Sequence, residues 1–355
     1  MPERVLVTGA GGFIGGRIAE IFHCSGIYTV RAGIKRWASA ARIGRFPMEI
    51  VIADVGDAAS IREAVRGVDY VVNCARGNGA LNRAGMKNVL EAAKAEGVKR
   101  LVHLSTIAVF GQRNGQIDES MPVERSGSEY GDSKIDTEEL CWEYGRQGME
   151  IVVLRPTIVY GPFSEIWTVE FAERMATGRW MLPREYCDGI CNLVYVDDLV
   201  AAVIRGLQSP TGVNEAYNIN GPELDITWNC YFDALNTALG LPPLKPQGKA
   251  SARLASAVMQ PVRNSAKFLL KRFQEPILHL YKTNPVAKVV MRRAESMIRQ
   301  TPTVAEYDLY SRTLSFPTTK AERLLGYRPV FSMADGVALS AGWLKHHRYV
   351  TPPGA

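Results

Sequence analysis

The opening run Arg4-Val5-Leu6-Val7-Thr8, followed at once by Gly9-Ala10-Gly11-Gly12-Phe13-Ile14-Gly15, constrains this chain more than any other stretch. Five residues of buried-strand character meet a turn with glycines three apart. A helical pattern then runs to about Cys24. Glycine lets a backbone turn tightly and approach a ligand closely, and the first turn of a helix offers unpaired N–H groups to an anion. Strand, glycine turn and helix in succession are the setting that a dinucleotide pyrophosphate needs.

The N-terminal half repeats this alternation. Strands are predicted over Tyr28–Ile34, Met48–Ile52, Val68–Asn73 and Arg100–Leu104, with helices starting near Ala58 and spanning Ala80–Glu96. Strands alternating with helices at this spacing predict βαβ units and a parallel sheet covered on both faces. The second strand ends at Lys35-Arg36, where an NAD site places an acidic residue on the ribose hydroxyls. Two cations and no acid favour a 2′-phosphate, hence NADP, with NAD the alternative; a solvated basic loop is the competing explanation. Asp54-Val55 follows the third strand, where the carboxylate can reach an adenine amino group or cap the next helix. The end of the fourth strand, Asn73-Cys74-Ala75, is expected to pass the cofactor.

Ligands of open parallel sheets sit beyond the carboxyl ends of the strands. The fifth strand ends there in Ser105-Thr106, hydroxyls able to hydrogen-bond a substrate oxygen. Tyr130-Gly131-Asp132-Ser133-Lys134 then opens a helical run predicted over Ser133–Tyr144. Residues four apart share a helix face, so the Lys134 ammonium can lie beneath the Tyr130 phenol. A free phenol, with a pKa of roughly 10, is a poor base near neutrality. A neighbouring cation favours the phenolate and suits the hydroxyl to proton transfer. Tyr and Lys at this spacing also occur by chance on many helices, so the context decides the reading.

That context resembles a known family. The T-G-x-x-G-x-x-G of Thr8 to Gly15, Asp54-Val55, Asn-x-Ala at Asn73, S-T-x-x-V-F-G at Ser105 and Tyr130-x-x-x-Lys134 occur in the order of the extended short-chain dehydrogenase/reductases. These form the NAD(P)-dependent epimerase/dehydratase superfamily. Arg155-Pro156-Thr157-Ile158-Val159-Tyr160-Gly161-Pro162, Asn192 to Asp198 and Tyr217 to Glu223 extend the likeness, which covers roughly residues 4 to 245 and resumes over 315 to 345. The resemblance implies a Rossmann-type doubly wound parallel sheet with a smaller, mostly helical C-terminal substrate-binding region. It implies that Gly9, Gly12 and Gly15 line the pyrophosphate, and that Phe13, Ile14, Lys35, Arg36, Asp54, Val55, Asn73, Ala75 and Pro156 border the cofactor. Tyr130 would be the general acid/base and Thr106 the substrate-orienting hydroxyl. Lys134 would hold the nicotinamide ribose, and Asn82 would support the site. Departures narrow the reaction. Ile107 and Ala108 stand where sugar 4,6-dehydratases carry Asp-Glu, which argues against water elimination. Ile158 and Cys191 stand where nucleotide-sugar epimerases often place Asn and Arg, which argues against a nucleotide-sugar substrate unless Arg179 or Arg184 takes the phosphates.

Charge sets one region apart. From Lys249 to Arg299 eleven Lys and Arg face two Glu, a local +9 that leaves −3 for the rest of a chain whose net charge is +6. This asymmetry argues against general nucleic-acid binding and for one special basic segment. Short helices are predicted over Arg253–Met259, Val262–Gln274 and Ala287–Ile298, split by Pro261, Pro276 and Pro285. Lys267, Lys271 and Arg272 alternate with Phe268 to Leu270 and Phe273, and Lys288, Arg292 and Arg293 with Val289 to Met291. Such helices suit either an anionic membrane surface or a lid with a solvated rim.

The expected division is a nucleotide-binding domain over 1–163 with 191–221, and a substrate-binding region over 164–190 with 222–355 that includes the basic insertion 246–303. Six scattered cysteines suggest reduced thiols, no metal site is expected, and the N-terminus lacks a signal-peptide h-region. A cytoplasmic protein is expected, peripheral at the inner face of a membrane if 249–299 docks there. Its expected partners are a small-molecule substrate, lipid-linked on one reading, and a second copy of itself. The expected activity is hydride exchange at a secondary alcohol or ketone carbon, by epimerisation or by net oxidation or reduction. A sugar is the leading substrate and a steroid-like or other lipid alcohol the alternative, with a non-catalytic NADP sensor a third option.

Overall fold

Seven strands form one parallel sheet: β1 (Arg4–Thr8), β2 (Thr29–Ile34), β3 (Glu49–Ile52), β4 (Tyr70–Asn73), β5 (Arg100–Leu104), β6 (Ile151–Pro156) and β7 (Glu215–Ile219). The computed structural model describes residues 2–77, 79–284, 286–289, 291, 298 and 300–350, without the side chains at 267, 271, 278 and 282. Sheet order is β3-β2-β1-β4-β5-β6-β7. Thr8 lies beside Gly33 on one side and Asn73 on the other. The winding reverses there, and ligands of such sheets bind at the reversal.

The helices whose bounds lie among the described residues are, in chain order, α1 (Phe13–Ser25), α2 (Ala58–Val65), α3 (Gly79–Ala95), α4 (Glu129–Arg146), α5 (Glu170–Ala176), α6 (Val196–Gln208), α7 (Trp228–Leu239), α8 (Lys249–Arg272), α9 (Gln274–Thr283), α10 (Val304–Tyr310), α11 (Thr319–Leu325) and α12 (Met333–His346). Val5, Leu6 and Val7 are wholly buried, as a sheet with helices on both faces requires. Leu6, Val71, Leu101 and Val153 pack with Ile61 and Val65 of α2, Met86 and Leu90 of α3, and Leu140 of α4. Side chains alternate along a strand, so Val102 and Val152 point to the opposite face. There a Cβ on Gly206 of α6 would lie 3.4 Å from Val102 and 3.2 Å from Val152. The fold is the expected doubly wound Rossmann type with a mostly helical C-terminal region.

The chain forms two compact units, residues 1–164 with 192–224 and 314–333, and residues 165–191 with 225–313 and 334–355. Among its described residues the second has no large sheet, and its helices meet through aromatic rings. Phe232 of α7 lies 5.0 Å from both Phe171 of α5 and Trp180, and Trp228 lies 4.6 Å from Tyr310 of α10. Large rings bury much area per residue and suit such a small core.

Three local expectations need correction. Helix α4 starts at Glu129, four residues before the predicted Ser133, because Ser128 caps it by accepting the Gly131 N–H. Asp57 caps α2 through the Ala59 N–H, while Asp54 accepts from Gly56 instead. Pro261 does not split the insertion, since α8 runs through it for 24 residues. The lost backbone bond and ring clash cost about 3 kcal/mol. Anchors on both sides offset that cost: Ala252 and Ser256 are buried, and Arg263 donates to the carbonyls of Ile298 and Thr301. Outward, α8 presents Leu254, Val258 and Phe268, each more than 60% exposed. The side chains of Lys267 and Lys271, and residues Pro285, Val290, Arg292 and Arg293, lie outside the described residues. Among the described residues no helix is long and apolar enough to cross a membrane.

Candidate active site

The glycine turn is built by close backbone approach. Gly9 has φ +66°, and a Cβ there would lie 2.9 Å from the Cys74 carbonyl oxygen; one on Gly15 would lie 2.5 Å from the Gly9 oxygen. Only glycine satisfies both the left-handed backbone and this contact. Helix α1 starts with Gly12 as N-cap, no side chain capping it and no acid in its first turn. Its leading N–H groups and positive dipole end are therefore available to an anion. These features fit a dinucleotide pyrophosphate. Thr8 ties the turn to β4, accepting from the N–H groups of Cys74 (3.2 Å) and Ala75 (3.3 Å).

The carboxyl ends of the strands bring most of the predicted residues to one edge of the sheet: Gly9, Lys35, Asp54, Asn73, Ala75, Thr106 and Pro156. Helix α4 delivers Tyr130 and Lys134 to it. A Cβ on Gly131 would lie 2.9 Å from the Ala108 carbonyl, so glycine lets the first turn of α4 press against the turn after Thr106. Lys134 is 6% exposed and donates from Nζ to the Leu104 carbonyl at 2.6 Å, whereas Tyr130 is 39% exposed. Thr106 is buried and accepts from the Ala108 N–H at 3.2 Å, keeping its own proton for donation. Asn82 accepts from Gly77 N–H and donates to Ser133, tying the loop after β4 to α4. Ser105 turns away from the edge and donates to Glu138 at 2.5 Å.

Burial sets the charge state of this cluster. It pushes the Lys134 ammonium down to about 8, with Cys74, Cys141 and Glu138 opposing and Arg76 reinforcing the shift. Turnover that needs the ammonium should therefore fall above about pH 8, an alkaline limb that a kcat profile would reveal. The stability consequence has the opposite sense. The unfolded chain holds this proton up to about pH 10.4, so the group's contribution to stability rises between pH 8 and 10.4. Keeping Lys134 charged near neutrality costs about 3 kcal/mol at ~1.36 kcal/mol per pKa unit. The orphaned Leu104 carbonyl would return about 1–2 kcal/mol of that. Lys134→Met should thus be inactive yet about 1 kcal/mol more stable in urea at pH 7; a destabilised variant would contradict this.

Beneath the edge lies a buried polar row that the sequence reading did not assign. Thr8 donates to Asn73 Oδ1 (2.7 Å), Asn73 Nδ2 meets His103 Nδ1 (3.2 Å), His103 Nε2 meets Thr137 Oγ1 (3.0 Å), and Thr137 donates to the Lys134 carbonyl (2.8 Å). Burial, reinforced by Lys134, holds His103 well below the usual histidine range. Beside the row Arg155 pairs with Glu138 at 3.0 and 2.6 Å. The signal available in sequence was His103, a lone titratable residue among the apolar Leu101, Val102 and Leu104. Arg76 was also missed: its guanidinium lies 5.1 Å from the Tyr130 ring centroid, a favourable cation–π position beside the proposed acid/base.

Beyond the ends of the second and third strands, Lys35 and Arg36 are exposed, and Lys35 lies 3.7 Å from Asp54 in a weak solvent-facing pair. Arg42, unassigned from sequence, donates to the Phe13 carbonyl (2.8 Å) and stacks 4.0 Å over Phe163, bracing the glycine turn. Phe13, Ile14 and Val55 are half-buried and Pro156 is buried. In the second unit Arg184 is taken up by Asp233 at 2.5 and 2.9 Å, while Arg179 is exposed. Buried Cys191 offers no charged group.

Comparison with known proteins identifies the family and the fold. Residues 5–220 fit the model of the NAD dependent epimerase/dehydratase family. Among similar curated proteins, N-acetyl-alpha-D-glucosaminyl-diphospho-ditrans,octacis-undecaprenol 4-epimerase of Escherichia coli O157:H7 is 27% identical over 241 residues, 64% of this chain and 70% of that protein. The 2-alkyl-3-oxoalkanoate reductase of Shewanella oneidensis is 27% identical over 301 residues, 78% and 76% of the respective chains. The solved UDP-glucose 4-epimerase of Thermotoga maritima superposes with a TM-score of 0.71 over 97% of this chain and 99% of its own, at 20% identity, a likeness of fold.

Proposed function

Because the chain belongs to the NAD dependent epimerase/dehydratase family, and is thereby an NAD(P)-dependent enzyme of the extended short-chain dehydrogenase/reductase type, we propose that it interconverts a secondary alcohol and a ketone on a sugar carried by a lipid or nucleotide diphosphate. The observation that carries the proposal is the convergence of Tyr130, Lys134 and Thr106 beside the Gly9–Gly15 turn. When bound, the nicotinamide supplies or accepts the hydride. Thr106 donates to the substrate oxygen and orients it, and Tyr130 gives or takes that oxygen's proton. Lys134, fixed on the Leu104 carbonyl, holds positive charge on the face of α4 that carries Tyr130. Arg76 adds a second cation at the phenol ring.

A similar epimerase whose name specifies an undecaprenol-diphosphate sugar supports the lipid-linked form. The second reading, reduction of a lipid ketone, draws support from the apolar side chains at Ile158 and Cys191 and from the oxoalkanoate reductase match. Cofactor stoichiometry separates the two. An epimerase returns its hydride and consumes no NADPH, while a reductase oxidises one NADPH per ketone. Net consumption with a sugar substrate would reject the epimerase reading.

NADP is the favoured cofactor because β2 ends in exposed Lys35 and Arg36 with no acid. Charge-assisted contacts to a phosphate contribute about 1.5–3 kcal/mol each. Arg36→Asp should therefore raise the Kd for NADPH about tenfold or more and leave NADH almost unchanged, by fluorescence titration. Equal effects on both cofactors would remove Arg36 from 2′-phosphate recognition.

The exposed apolar side chains of α8, set beside Arg253 and Arg272, support peripheral docking on an anionic bilayer. Sedimentation with anionic liposomes should show binding at low salt that weakens at high salt and with Phe268→Ser. No binding at low salt would end this part of the proposal.

A further inference from the structure

The second unit holds a half-open cavity of about 360 Å³ lined by none of the residues assigned above to the cofactor or to proton transfer. Ile166, Trp167 and Phe171 give it an apolar wall, while Glu170, Arg174, Arg263 and Glu306 are its charged groups. This volume lies in the range of small-molecule sites, which combine apolar walls with a few placed polar groups.

Its charges are unevenly satisfied. Arg174 donates to Glu306 (2.7 Å) and to Glu170 (2.9 Å). The second Glu306 oxygen is held by the Thr303 N–H (2.8 Å) and hydroxyl (2.9 Å). Both lining carboxylates are thus committed to Arg174 and the start of α10. Arg263 is 7% exposed, and among the described residues its Nη2 reaches the backbone carbonyls of Ile298 and Thr301. Its Nη1 is buried with no hydrogen-bond partner among the described residues. A buried guanidinium N–H left without a hydrogen bond is costly, and an anionic oxygen at Nη1 would relieve that cost. Burial also pulls the Arg263 guanidinium below the ordinary arginine value, with Glu306 opposing.

We propose that this cavity is a binding site for a small anionic amphiphile. Its phosphate or carboxylate head would pair with Arg263, and its apolar body would lie against Trp167, Phe171 and Ile166. The proposal concerns the second unit alone and is independent of the substrate assigned to Tyr130. A neutral hydrophobe would leave the Arg263 N–H unpaired, and a free inorganic anion would leave the aromatic wall wet, so the site selects for both halves together.

Octyl phosphate, kept below its micellar concentration, is the probe, titrated calorimetrically into the full chain. One-to-one binding is expected, at least tenfold weaker in Arg263→Met and in Ile166→Trp, which fills the cavity from its rim. Phe268→Ser, on the outward face of α8, should bind like the parent. Octanol and inorganic phosphate should each bind at least tenfold more weakly than octyl phosphate, while octanoate should bind comparably. An unchanged cooperative melt and NADPH affinity would establish that the variants fold. Parent-like binding by both Arg263→Met and Ile166→Trp, loss of binding in Phe268→Ser alone, or equal affinity for inorganic phosphate would overturn the assignment.

Discussion

Tyr130→Phe should lower kcat by about 10²- to 10⁴-fold, the range that a positioned general acid or base contributes. The substitution removes one oxygen from a ring that is 39% exposed and keeps its contact with Arg76. Thermal stability and cofactor affinity should therefore move little. That separation is the diagnostic result, because a folding defect would lower all three together. Following NADPH absorbance with a reducible ketone, or the approach of two epimers to equilibrium, would measure it. A Tyr130→Phe protein with parent turnover would transfer the proton step to another group and leave the helix α4 assignment without its main support.

The second large effect concerns stability. Glu138 and Arg155 are 2% and 6% exposed and joined by two short hydrogen bonds, with Ser105 donating to the same carboxylate. Removing one partner of a buried ion pair leaves an uncompensated charge and costs about 3–5 kcal/mol. Glu138→Ala should therefore lower Tm by on the order of 10 °C, since each kcal/mol shifts a domain of this size by a few degrees. The double variant Glu138→Leu/Arg155→Leu should recover most of that loss, because apolar replacement of a whole buried pair is often neutral. If the double variant were as unstable as the single, packing around β6 rather than the orphaned charge would be the cause. Recovered stability without recovered turnover would identify the pair as positioning Ser105 and the strand end that carries Thr106.

Much of this was legible in the chain because each element carries its own signal. The parallel strands read as apolar runs, and the glycine turn declared itself by spacing. The family likeness then placed Thr106, Tyr130 and Lys134 in order. What escaped depends on distance in sequence. His103 and Thr137 are 34 residues apart, and Arg155 finds Glu138 only after β6 returns beside β5. No local pattern marks such partners. Local rules also erred where tertiary anchors outweighed them. Pro261 reads as a helix break, yet α8 is held on both sides of it. Asp54 reads as an adenine contact or a helix cap, yet Asp57 is the residue that accepts the Ala59 N–H.

The buried row from Thr8 to Lys134 has a sense of direction. With His103 neutral and its proton on Nε2, each member donates to the next: Thr8 to Asn73, Asn73 to His103, His103 to Thr137, and Thr137 to the backbone of Lys134. The second Asn73 N–H is directed at the Met86 sulfur. A second proton on His103 would set two donors head to head at Asn73 and break the row in the middle. The folded state therefore resists that proton while the unfolded chain takes it below about pH 6.5, so acid withdraws stability from this point. The sheet edge that carries the proposed site is thus polarised like a one-way circuit, and acid would break that circuit at its interior histidine.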